Sequence, residues 1–245
     1  MNQEPPTLSH RCALRACPGA TALADAAAQE WLGLLRSHPP HSRPFGLALS
    51  GGRTAAKLFP AVVEASRQLA VAWHEVEVFF ADERWVPRDD SESNYRLARE
   101  LLLDPLGVSP ARVHPLYVGE SPEYAAAQGQ ADMLRRVPVN FEGTPLLDLV
   151  VLGMGEDGHL ASLFPVAPAD VVASRAVYLP VRSPKPPPQR LTLTYAALIA
   201  ARSVLVLVSG AAKAGVLRRS LAGQEDTTLA RVLRGRRWTA VLTDC

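Results

Sequence analysis

Four short runs of nearly unbroken apolar residues, 45–49, 76–80, 146–152 and 203–208, each stop at a loop of small or charged residues. Stretches with helical periodicity stand between them. This alternation constrains the fold more than any other feature. A strand that is apolar at every position has no solvent face, so it belongs in a sheet covered on both sides. A strand–helix–strand order makes such a sheet mostly parallel. Helical stripes are expected over 20–35, 54–68, 91–103, 124–136 and 211–221. In the first, Ala20, Leu23, Ala24, Ala27, Ala28, Trp31, Leu32 and Leu35 share a face, and Pro39-Pro40 closes it. Shorter strands are expected at 113–118, 176–181, 191–194 and 238–242. No repeat or linker interrupts the 245 residues. The expectation is one α/β domain over 1–245, with helices on both faces of a mostly parallel sheet and 1–10 as a loose tail. Right-handed crossovers place the loops that follow the strands on one sheet edge. The loops at Ser50, Asp82, Gly153 and Ser209 therefore converge.

Composition narrows the function classes. With 48% hydrophobic and 20% charged residues, the chain reads as an ordinary soluble protein. A net charge of +2 is far from that of a nucleic-acid binder. The cluster Arg231, Arg234, Arg236 and Arg237 is then a solvated face or a contact for an anionic partner. Cys12, Cys17 and Cys245 are too scattered for a disulfide framework or a zinc site, which fits a reducing compartment. The N-terminal residues lack the apolar core of a signal peptide. No apolar run reaches the ~18–20 residues that span a bilayer. A cytoplasmic protein with no nucleic-acid or membrane partner is expected; the oligomeric state is left open.

The converging loops carry the candidate chemistry. Gly51 and Gly52, between a strand and a helix, let backbone N–H groups approach an anion, and the helix N-terminus favours negative charge. Arg53 and Thr54 add donors. The pattern is neither a P-loop nor a dinucleotide fingerprint, and a tight turn capped by Ser50 is the alternative. Asp82, Glu83 and Arg84 either line a site or form a solvated ion-pair cluster, and Asn94 and Arg96 repeat that argument more weakly. Arg190 follows three prolines, which stiffen its approach for holding an anion. Lys213 opens the helix after Ser209-Gly210. His159 follows a strand that ends in Gly153, Gly155 and Gly158. An imidazole titrates near pH ~6.5, so it can serve as a base, and Asp157 stands two residues before it to orient it. A structural histidine is the alternative. No second histidine or cysteine sits at metal-ligand spacing.

At these spacings the blocks LSGGRT at Leu49, FFADERWVP at Phe79, ESNY at Glu92, VVLGMGEDGHLASLFP at Val150, SPKPPPQRLTLT at Ser183 and VSGAAKAGVL at Val208 appear in order. The chain resembles the lactonase branch of the glucosamine-6-phosphate isomerase/6-phosphogluconolactonase family. The resemblance implies a Rossmann-like α/β core and hydrolysis of 6-phospho-D-glucono-1,5-lactone in the oxidative pentose phosphate pathway. The only partner implied is the phosphorylated sugar lactone, and neither cofactor nor metal is implied. Gly51, Gly52, Arg53, Thr54, Arg190 and Lys213 would hold the phosphate. Asp82, Arg84 and Asn94 would face the sugar acid, and His159 would be the catalytic base. The rivals are a glucosamine-6-phosphate deaminase and a non-catalytic sugar-phosphate sensor. Deaminases place a glutamate where this chain has Phe164, which cannot move a proton. Two departures stand out: the phosphate loop reads SGGRTA where SGGST and proline are common, and relatives usually continue past Asp244-Cys245 into a helix.

Overall fold

Six parallel strands form the main sheet: β1 (Cys12–Ala16), β2 (Phe45–Leu49), β3 (Val76–Phe80), β5 (Leu149–Gly153), β8 (Ser203–Val208) and β9 (Thr239–Thr243), in the spatial order β1-β9-β8-β5-β2-β3. The structure is a computed structural model that describes residues 8–39, 42–69 and 71–245. Every residue of β2 and β3 is buried. Since alternate residues point to opposite faces, both faces are covered, as the apolar runs require. Phe59, Phe79 and Phe80 are fully enclosed, each burial stabilising by about 1.5–3 kcal/mol. The long helices are α1 (Ala20–Ser37), α2 (Arg53–Leu69) and α4 (Pro122–Arg136). Helix α1 packs on α2 and on strands β8 and β9. The last strand is therefore interior, flanked by β1 and β8.

Strand order explains where a ligand can enter. From β2 the chain steps to β3 on one side. From β5 it steps to β8, then β9, on the other. The direction reverses between β2 and β5, which are direct neighbours. In an open α/β sheet such a reversal opens a crevice at the carboxyl ends of the strands. The glycine loop follows β2 and the histidine loop follows β5.

A second sheet was not expected. Strands β4 (Asp82–Arg84), β7 (Gln189–Leu193) and β6 (Tyr178–Arg182) form an antiparallel trio. Only Ala81 separates β4 from β3, and its carbonyl accepts from the Leu193 N–H. The trio thus stands at the carboxyl edge of the main sheet, as a wall of the crevice.

Other expectations need correction. The stretch 113–118 makes only one bridge, Val113 to Val78, because Pro115 lacks an N–H for a ladder. The 91–103 helix begins at Asn94, as α3 (Asn94–Ala98), and ends in a π turn over Arg99–Leu103. The helix expected over 211–221 is a 3-10 turn, Ala211–Lys213, followed by α7 (Ala214–Leu221). Helices α5 (Ala169–Ala173), α6 (Tyr195–Ala200) and α8 (Thr228–Gly235) were not anticipated. Residues 1–7 of the expected tail, and Pro40, lie outside the described residues. Residues 8–10 are docked: Leu8 is buried and its N–H reaches the Leu221 carbonyl at 2.7 Å. The basic cluster is no common face. Arg231 and Arg234 pair with Asp226, whereas Arg236 is buried.

Candidate active site

A cavity of about 370 Å³ occupies the crevice. Gly51, Gly52, Arg53 and Thr54 form one side. Gly51 is packed so closely against Asn94 that a Cβ there would overlap the Asn94 side chain. Gly52 has φ +88°, a conformation that suits glycine. The Ser50 hydroxyl does not cap α2; it donates to Asp82 Oδ1 at 2.7 Å. The first-turn N–H groups of α2 have no intrahelical partners, and Arg53 and Thr54 of that turn line the cavity. Arg53 lies at the rim, almost fully exposed, 3.6 Å from Glu156.

The antiparallel trio supplies the opposite wall. Asp82 is paired with Thr192, and Arg84 with Arg190, so Asp82, Arg84 and Arg190 share one face. Two arginines placed directly across a ladder repel each other. Arg190 is buried, and burial, then the charge of Arg84, pull its guanidinium below the ordinary arginine value. Its hydrogen-bond partners are the carbonyls of Lys185, Pro186 and Pro187 and the Ser162 hydroxyl, with no carboxylate among them. Arg84 Nη1 is held by Glu92, while its Nε is buried with no partner among the described residues. Two cations, one lacking a carboxylate and one with an idle donor, make an anion-seeking wall. Asn94 lines the same cavity and donates from Nδ2 to the Asp82 carbonyl at 2.8 Å.

Glu83, on the other face of β4, holds this wall. Its carboxylate accepts from the backbone N–H groups of Arg84, Asn94 and Tyr95 and from the Ser93 hydroxyl. Burial pushes its carboxyl up to about 7, against the pull of those backbone donors. Lys213 closes the cavity from the loop after β8. Asp244, just past β9, anchors that loop by accepting from Gly210 N–H and the Ser209 hydroxyl, both at 2.7 Å. Burial, then Arg53, draws the Lys213 ammonium below its ordinary value.

His159 comes from a tight loop after β5. The Gly155 N–H donates to the His159 carbonyl at 2.9 Å, and the Gly158 N–H to the Gly155 carbonyl at 3.1 Å. Gly158, at φ +81°, presses on Thr227, which caps α8. The His159 Nδ1 donates to Asp157 Oδ1, so the neutral ring carries its lone pair on Nε2. Partial burial opposes the Asp157 charge. The hydrogen bond and charge of His159, with Lys185 at 3.4 Å, outweigh it and hold the carboxyl well below the usual carboxylate range. The Phe164 ring lies 4.8 Å from the imidazole.

Of the site residues expected from the sequence, Asp157 sits behind His159, Glu83 faces the other side of β4 and Arg96 pairs with Glu100 away from the crevice; the others meet at this cavity. Sequence reasoning missed Ser162, Lys185 and Glu156. Lys185 stands inside the SPKPPPQR block, so a signal was present; Ser162 and Glu156 follow and precede His159 with no pattern of their own. Among the described residues no group of three or more His, Cys, Asp or Glu side chains is placed to hold a metal ion. Nor, among these residues, is any helix long and apolar enough to cross a membrane.

Fold and site together define a doubly wound α/β protein whose switch-point crevice sets a histidine–aspartate pair beside cationic walls. The chain belongs to the family described as glucosamine-6-phosphate isomerases/6-phosphogluconolactonase, whose sequence model matches residues 18–240. It is similar to the 6-phosphogluconolactonase of Mycobacterium leprae, 37% identical over 188 residues, covering 75% of each chain. It is also similar to the human 6-phosphogluconolactonase, 39% identical over 191 residues, which cover 76% of this chain and 71% of the human one. Among solved structures, the 6-phosphogluconolactonase of Trypanosoma cruzi superposes with a TM-score of 0.83 at 28% identity, covering 98% of this chain and 97% of that one.

Proposed function

We propose that this chain hydrolyses 6-phospho-D-glucono-1,5-lactone to 6-phosphogluconate, the lactone-opening step of the oxidative pentose phosphate pathway, with His159 as general base. The observation that carries the reading is the surroundings of the imidazole: Asp157 on Nδ1 and the apolar Phe164 ring against it. The Phe164 ring cannot pass on the second proton that ring opening of an amino sugar phosphate requires. A base that activates one water needs only this.

In the proposed mechanism the Gly51–Thr54 loop, Arg190 and Lys213 bind the phosphate, and Asp82, Arg84 and Asn94 meet the sugar hydroxyls. Anchoring the remote phosphate places C1 near His159. Nε2 takes a proton from water as the water oxygen bonds to C1. The carbonyl becomes a tetrahedral oxyanion, for which the Arg84 guanidinium that lines the cavity is a suitable donor. The C1–ring-oxygen bond then breaks, and the imidazolium returns the proton to the leaving oxygen. The lactone carries its own electrophile, so these steps need no cofactor. The reading places the enzyme in the cytosol, in keeping with three free thiols and a charged substrate that does not cross membranes unaided.

The test is a coupled assay with freshly made lactone, corrected for spontaneous hydrolysis, run beside glucosamine 6-phosphate with ammonia detection. Accelerated lactone opening without ammonia release is expected. Ammonia release without lactone acceleration would overturn the proposal. Arg190→Met and Lys213→Met are each expected to raise KM by roughly tenfold or more, since each removes a charge-assisted contact to phosphate. An unchanged KM would remove that residue from the pocket. Gly155→Ala is expected to cost roughly 10²-fold in kcat by displacing a catalytic ring. Its Cβ would overlap the His159 imidazole. Stopped-flow kinetics beside a thermal melt separates this from misfolding; wild-type kcat would contradict it.

A further inference from the structure

We propose that Ser162 is a positioning residue of this site, a hydroxyl wedge that stands between Asp82 and Arg190 and keeps the guanidinium free for the substrate phosphate; this rests on the phosphate pocket proposed above. The chain makes a sharp turn to put it there. Ala161 adopts φ +51°, a left-handed conformation that is strained for a non-glycine residue. Ser162 follows, almost fully buried, with its N–H on Thr192 Oγ1 at 3.2 Å.

The hydroxyl has one proton. Ser162 Oγ lies 2.8 Å from Asp82 Oδ2, and an ionised carboxylate only accepts, so the proton points to Asp82. The oxygen lone pairs then face Arg190 Nη1, 3.5 Å away. The result is a directed relay from guanidinium through hydroxyl to carboxylate. Asp82 Oδ1 is held separately by Ser50.

The ladder register shows what the wedge prevents. Asp82 pairs with Thr192, so Arg190 lies two residues away on the neighbouring strand and on the same face. Such diagonal neighbours are ~7–8 Å apart, within reach of an arginine side chain. Without Ser162 a direct Asp82–Arg190 ion pair would be within reach, and the charges already act on each other. Once neutralised by Asp82, Arg190 would attract an incoming dianion far less. Ser162 occupies the space in which that pair would close.

The probe is inorganic phosphate, titrated by calorimetry at fixed pH and ionic strength. Ser162→Ala is expected to weaken phosphate binding by roughly tenfold, the scale of one charge-assisted hydrogen bond. KM for the lactone should rise in parallel, with a smaller change in kcat. In an Asp82→Asn background, where Arg190 has no carboxylate to close upon, the same substitution should leave phosphate affinity unchanged. Unaltered affinity in Ser162→Ala, or an equal loss in both backgrounds, would overturn the wedge. Wild-type phosphate affinity in Arg190→Met would overturn the phosphate pocket itself, and the wedge with it. Melting without phosphate monitors folding. Should the alanine variant not fold, Ser162→Cys, close in volume but a weaker donor, carries the same comparison with an intermediate loss.

Discussion

His159→Ala is expected to slow lactone opening by about 10²–10⁴-fold, the usual contribution of a positioned general base, while 6-phosphogluconate still binds. The prediction follows from the local geometry. The imidazole is fixed on one edge by Asp157 and on one face by Phe164, so its orientation is set before substrate arrives. Removing it takes away the proton acceptor and leaves the cationic walls that bind phosphate in place. The two effects should therefore separate: kcat collapses and product affinity persists. Asp157→Asn should show an attenuated form of the same loss, because an amide no longer enforces the tautomer that leaves Nε2 bare. The depressed Asp157 pKa also sets a sign. Its folded-state contribution is present above the ordinary carboxylate range, near ~3.9, and is lost as pH falls through the lower folded value. Single-turnover kinetics with calorimetric product titration tests all of this. Near-wild-type turnover in His159→Ala would remove the histidine from the mechanism.

Arg236→Met is expected to destabilise the fold by about 3–5 kcal/mol, the scale seen when a buried polar network loses one partner. Among the described residues its guanidinium has no carboxylate partner. Nη1 donates to the carbonyls of Leu198, Ile199 and Ala201 at 2.9, 2.8 and 2.6 Å. Nη2 reaches the Arg202 carbonyl at 3.3 Å, and Nε reaches the Trp238 carbonyl and Thr239 Oγ1, each at 3.3 Å. The carbonyls of 198–202 belong to the end of α6 and its exit, where a helix has no donors left of its own. Burial lowers the guanidinium to about 10, so it remains charged at neutral pH. Methionine matches much of the volume and none of the donors. Arg236→Lys should also lose stability, since one compact ammonium cannot span carbonyls fanned around a planar group. Urea unfolding, with an unchanged m-value, measures the loss. A variant within about 0.5 kcal/mol of wild type, the scatter of ordinary surface substitutions, would contradict the carbonyl-cage reading.

The main sheet was legible because its strands are buried on both faces and so apolar throughout. The site was legible in part for a related reason: parallel topology sends every strand-to-helix loop to one edge, and Gly51–Thr54, His159 and Lys213 stood in or next to those loops. The antiparallel trio escaped detection. Asp82, Glu83 and Arg84 show no apolar alternation, and each is held by a partner too far along the chain for local periodicity to report. Strand β1, for which the sequence raised no expectation, has one buried residue, Cys12, so no stripe marks it. Ser162 and Arg236 illustrate the same limit. A serine after an alanine, and one arginine among four, take their roles from groups 80 residues away in one case and 38 in the other.

The placement of the two principal loops on adjacent strands has a further consequence. Hydrogen-bonded strands stand ~4.8 Å apart, a spacing set by the backbone and insensitive to side-chain identity. Strands β2 and β5 are such neighbours, so the spacing between the points from which the anion loop and the histidine loop depart is built into the ladder. The scaffold acts as a fixed gauge: loop residues can drift to suit one sugar or another, yet the origin from which each loop reaches stays constant. Selectivity for how far the phosphate lies from the reacting carbon then begins with the main chain, and side chains refine it.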